Sequence, residues 1–194
     1  MTNINHKPLL LLAIICLSMM LLPQPARELM YLHIDSFKQG QYWRFFTGHF
    51  IHYSWIHCIS NVVGLLLLSG IFHHTKQATN WILVLLITIV VISTCLILFS
   101  NQLEWYVGFS GVLTGMYAYA SIKTFKENAG VSALLFIALF TYVALQTLEG
   151  ELVSSVLMSD LKTSSYAHAY GLIAGGLYAV IEKFYLAIYQ KENY

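Results

Sequence analysis

Four polar side chains lie where the sequence makes polarity costly: His57, Asn61, Ser110 and His168. Ser110 sits in Gly108-Phe109-Ser110-Gly111, at the mouth of an apolar run. A serine hydroxyl is a weak nucleophile until a neighbouring base takes its proton. His168 is the candidate base. It opens a later apolar run, and Gly171 and Gly175 follow three and seven residues on, sharing its helix face. Gly111 and Gly115 form a matching small-residue stripe beyond Ser110. Two such stripes allow helices to approach backbone to backbone. A hydroxyl on one helix and an imidazole on the other then come within hydrogen-bond reach.

Acyl chemistry also needs donors for a developing oxyanion. His57 and Asn61 are four residues apart and share one helix face. Together with the Ser110 backbone N–H they are the candidates. Each signal has an ordinary alternative. A serine in a membrane helix commonly bonds its own backbone, and a His/Asn pair commonly serves as polar glue between helices. Their coincidence in one short chain points to a hydrolytic site.

The elements that must hold these groups follow from composition. Of 194 residues, 58% are hydrophobic and 10% charged, and mean hydropathy is +0.66. These values exclude an ordinary soluble domain. Long continuous apolar runs favour membrane helices over the alternating pattern of a barrel. Six segments read as spans: 9–22, 55–72, 81–99, 108–121, 131–148 and 166–189. The first also resembles the apolar core of a secretory leader, though the later segments favour a retained helix. Residues 27–54 mix aromatics with charges, as suits a segment in the headgroup region. The fold expected is an all-α membrane protein: one domain over 1–194, with a core of about 8–190.

With the N-terminus cytoplasmic, the inner side holds Lys7, Lys76, Lys123, Lys126, Lys183 and Lys191. The outer side holds Arg27, Lys38, Arg44 and Lys162, a modest positive-inside bias. Net charge is +1 and no basic patch suggests nucleic acid. Cys16, Cys58 and Cys95 lie in apolar runs without metal-ligand spacing and read as packing residues. His49 and His52, three apart, read as hydrogen-bonding groups of the interfacial segment rather than ligands.

The ordered motifs resemble the rhomboid family of intramembrane serine proteases over 41–176. Trp43-Arg44 followed by Phe45-Phe46-Thr47 is similar to the tryptophan-arginine motif of the first rhomboid loop. His52, then His57 and Asn61, resembles the HxxxN signature. Gly108-Phe109-Ser110-Gly111 resembles GxSG, and Ala167-His168-Ala169-Tyr170-Gly171 with Gly175 resembles AHxxGxxxG. The resemblance implies a six-transmembrane-helix bundle with an interfacial first loop and a Ser110–His168 dyad lacking a third acid. It implies oxyanion donors at His57 and Asn61, loop-anchoring roles for Trp43 and Arg44, and an aromatic, Tyr170, able to stack on His168. No cofactor or metal is implied. Substrates would be membrane-anchored proteins with one span, cut near its outer end.

Thr47-Gly48-His49-Phe50-Ile51-His52, Leu148-Glu149-Gly150 and His168-Ala169-Tyr170-Gly171 resemble the rhombosortase branch. That branch is implied to process proteins with a C-terminal Gly-Gly sorting tail in the bacterial inner membrane, its site opening outward. Two alternatives stay open: a general rhomboid protease with other single-span substrates, and a non-catalytic membrane binding protein. The internal symmetry usual in a transporter is not seen. Glu149 reads as a loop or substrate contact, and the sequence leaves the oligomeric state undecided.

Overall fold

The structure is a computed structural model that describes residues 7–72, 80–99, 105–148 and 165–192. In chain order its elements are α1 (Lys7–Met20), α2 (Gln24–Glu28), β1 (Leu32–His33), α3 (Ile34–Lys38) and α4 (Arg44–Thr47). There follow α5 (Trp55–Ile71), α6 (Trp81–Phe99), β2 (Trp105–Tyr106), α7 (Ser110–Lys123), α8 (Ala129–Leu148) and α9 (Ser165–Glu192).

Each of the six apolar segments overlaps one helix, and 81–99 matches to the residue. Among the described residues, three helices are long and apolar enough to cross a membrane by length and composition: Trp81–Phe99, Ala129–Gln146 and Tyr166–Tyr189. The helices α1 and α5 are apolar but shorter. Leu66, Leu67, Leu83, Leu86, Val90, Leu134 and Ile137 face outward. Water would penalise that surface, whereas acyl chains solvate it.

Two features depart from a purely helical reading. Residues 24–54 are broken into three short helices rather than one continuous segment, and β1 pairs antiparallel with β2, Leu32 opposite Tyr106 and His33 opposite Trp105. This two-residue ladder ties residues 27–54 to the stretch just before Ser110.

Burial is greatest along α7, where residues 111–116 and 118–121 are all buried. Around this post pack α5, α6, α8 and α9. Against α5 lies α1, with Leu9, Leu12 and Cys16 buried beside Cys58, Leu65 and Leu68 in one apolar cluster. The most lipid-exposed of the candidate spans is Ala129–Gln146, with 17% of its residues buried.

Candidate active site

Ser110 is the first residue of α7. At that position backbone N–H groups have no partner within the helix, and the helix dipole favours negative charge. The turn leading into it requires Gly108, whose φ is +122°. A side chain there is also excluded by space, since a Cβ would lie 2.6 Å from His57 Cε1. The ring of His57 therefore rests against the residue two before the serine.

Opposite, His168 lies near the start of α9, and its Nε2 is 2.9 Å from Ser110 Oγ. This contact depends on how closely α7 and α9 approach. A Cβ on Gly111 would be 2.9 Å from the Ala167 carbonyl oxygen, and one on Gly115 2.7 Å from that of Gly171. Side chains on Gly171 and Gly175 would collide with the carbonyls of Gly111 and Gly115. All four stripe glycines thus lie in one seam. The two helices run parallel at a nearly constant offset: 58 residues separate Ser110 from His168, and 59 separate Lys123 from Glu182. Among the described residues, His168 Nδ1 is buried without a hydrogen-bond partner.

His57 is 5% exposed, and neither of its ring nitrogens has a partner among the described residues. Its helix begins at a serine cap, Ser54 Oγ accepting the His57 N–H at 3.2 Å. Asn61 is also buried and donates its side-chain amide to the His57 carbonyl at 3.1 Å.

Trp43 caps α4 and Arg44 is its first residue. Trp43 Nε1 donates to the Leu29 carbonyl at 3.1 Å. Arg44 is buried and donates to Gln41 Oε1 (2.7 Å), Glu28 O (2.9 Å) and Tyr31 O (2.8 Å). One guanidinium fork thereby gathers three pieces of the loop. His49 Nε2 lies 2.8 Å from Ser93 Oγ on α6, and that hydroxyl donates to Phe45 O at 2.7 Å. With the serine hydrogen committed, His49 Nε2 must be the donor.

One expected contact is corrected. Tyr170 stacks on Tyr166, at 6.4 Å between ring centroids. The ring against His168 is Tyr142 of α8, edge-on at 5.8 Å. Nothing in the local pattern around His168 marks Tyr142, because only the packing of α8 brings it there. Glu149 lies outside the described residues.

Ser110 and His168 are thus held in contact across a glycine seam between α7 and α9. The model of the rhomboid domain matches residues 39–183, and the chain belongs to the rhomboid family, whose members are intramembrane serine proteases. Among curated proteins, no match is found.

Proposed function

We propose that this chain is an intramembrane serine endopeptidase in which Ser110 is the nucleophile and His168 the base. The carrying observation is the 2.9 Å contact between His168 Nε2 and Ser110 Oγ. His168 takes the hydroxyl proton as Oγ attacks a peptide carbonyl. The negative charge on the carbonyl oxygen is met by the Ser110 N–H, His57 and Asn61. As the tetrahedral species collapses, the C–N bond breaks and His168 returns the proton to the leaving amine. Water then attacks the acyl-serine by the same route, releasing the acid and restoring the hydroxyl. Trp43 and Arg44 anchor the loop, and Gly108, Gly111, Gly115, Gly171 and Gly175 keep the parts close.

On this reading all six long helices cross the bacterial inner membrane and the site opens to the outer side. Substrates are single-span proteins cut near the outer end of the span. The finer proposal is a rhombosortase-like preference for a C-terminal Gly-Gly sorting tail, suggested by Thr47-Gly48-His49-Phe50-Ile51-His52 and His168-Ala169-Tyr170-Gly171.

The experiment is labelling of the membrane-embedded protein with a fluorophosphonate, alongside Ser110→Ala and His168→Ala. Wild type should label, and both variants should fall to background while remaining inserted. A Ser110→Ala protein that still cuts substrate ends the proposal. Two anchored reporters, one with a Gly-Gly tail and one without, decide the substrate class.

A further inference from the structure

We propose that Tyr106 and His52 are positioning residues for the nucleophile, clamping the Gly108–Phe109 peptide group from its two ends. The functional part of this inference rests on the protease reading above. Tyr106 closes β2, is buried, and donates its hydroxyl to the Gly108 carbonyl at 2.7 Å. His52, buried between α4 and α5, accepts the Phe109 N–H on its Nε2 at 3.4 Å. These bonds hold the oxygen and the hydrogen of one planar group. The preceding peptide is tied as well, with Gly108 N–H donating to Gly48 O at 3.0 Å.

The clamp acts where the backbone most needs one. Glycine at positive φ has little steric resistance to rotation, so the plane entering Phe109 is not held by its own side chain. The next peptide carries the Ser110 N–H, and its direction follows from that plane. Outside bonds must therefore fix it. A phenylalanine at 106 would fill the same space, so the hydroxyl is what distinguishes tyrosine here. Burial lowers the His52 imidazole from its ordinary 6.5 to about 3, which keeps the ring neutral, and the Phe109 N–H aimed at Nε2 makes that nitrogen the acceptor and puts the ring proton on Nδ1. The β1–β2 ladder holds Tyr106, and the ring of His52 meets His57 edge-on at 5.0 Å. One arrangement thus fixes the nucleophile's backbone and abuts the proposed oxyanion histidine.

The test compares wild type with Tyr106→Phe, His52→Leu, the double variant and His52→Gln. Two readouts are taken: amide hydrogen exchange over residues 109–111, and the rate of fluorophosphonate labelling. Each single variant should raise exchange and slow labelling by about tenfold, the worth of one ordinary hydrogen bond. The double variant should be little slower than the slower single, because both bonds restrain the same plane. His52→Gln, which offers a carbonyl acceptor, should recover most of the rate.

Unchanged exchange in Tyr106→Phe overturns the clamp. So does labelling at the wild-type rate in variants whose exchange has risen. A multiplicative loss in the double variant that tracks its melting temperature also overturns it, as simple destabilisation would. If wild type takes up no probe while exchange follows the expected pattern, the protease reading fails and the clamp stands.

Discussion

Lys123 at the end of α7 and Glu182 of α9 form a 2.8 Å ion pair at the far end of the seam that Ser110 and His168 open. Tyr119 joins it, its hydroxyl donating to Glu182 Oε2 at 2.7 Å and accepting from Lys123 Nζ at 2.6 Å. Stacked on Tyr119 at 5.3 Å is Tyr178. Lys123 and Glu182 side chains are 8% and 21% exposed, so removing one partner strands the other in a poorly solvated place. Lys123→Ala or Glu182→Ala should each lower stability by on the order of 3 kcal/mol. Exchanging the two residues should recover part of that. Thermal midpoints in detergent check it, and a Glu182→Ala protein as stable as wild type would refute the linkage.

The seam glycines make a sharper comparison. A methyl on Gly175 collides with the Gly115 carbonyl, whereas a Cβ on Gly70 meets nothing within 4 Å. Gly175→Ala should pry α7 from α9, lowering the melting point and suppressing probe labelling together. Gly70→Ala should be neutral or slightly stabilising, because alanine favours the helix. Equal behaviour of the two variants would show that the seam has slack.

His57→Ala and Asn61→Ala separate catalysis from helix packing. As oxyanion donors they should reduce kcat by about a hundredfold to a thousandfold, with KM little changed. As packing groups they would lower the melting point and leave kcat of the folded protein alone. Steady-state cleavage of an anchored reporter distinguishes these outcomes.

Tyr142 and Tyr170 offer a direct contrast. The ring of Tyr142 meets His168, while that of Tyr170 stacks on Tyr166. Tyr142→Leu should slow labelling severalfold, because the imidazole loses an edge-on neighbour that restricts its orientation. Tyr170→Leu should change the rate less. The reverse order would favour the sequence-based expectation.

Stability should fall in mild acid. Burial lowers both His49 and His52 from an ordinary 6.5 to about 3. The unfolded chain therefore binds protons below about pH 6.5 that the folded chain refuses until about pH 3. The stabilisation is fully present above pH 6.5 and is lost as pH drops through that window. Each histidine contributes a slope of up to about 1.4 kcal/mol per pH unit. Melting points taken between pH 7 and pH 5 should decline, and His49→Gln, which keeps a donor for Ser93, should flatten the decline. A flat wild-type profile would contradict this.

The helices were legible because each is a continuous apolar run, and 81–99 is the clearest of them. Ser110, His168 and the four stripe glycines were legible as a set because helical spacing converts sequence intervals into shared faces. The β1–β2 ladder was not, since two-residue strands carry no periodicity. Tyr106 and Tyr142 went unmarked for a related reason: their partners lie on other elements, and only tertiary packing joins them. Glu182 sits inside an apolar run, where a carboxylate calls for a counter-ion that only the packing of α7 identifies as Lys123.

The post that carries Ser110 is only 14 residues long. At 1.5 Å per residue it measures about 21 Å, against a hydrocarbon layer of about 30 Å. If its Lys123 end reaches one boundary, the hydroxyl is submerged roughly 9 Å beneath the other. Hydrolysis at such a depth needs a wetted shaft leading down to the alcohol. On the proposed protease reading, the brevity of one helix therefore makes solvent delivery, and not only bond cleavage, part of what the surrounding protein must accomplish.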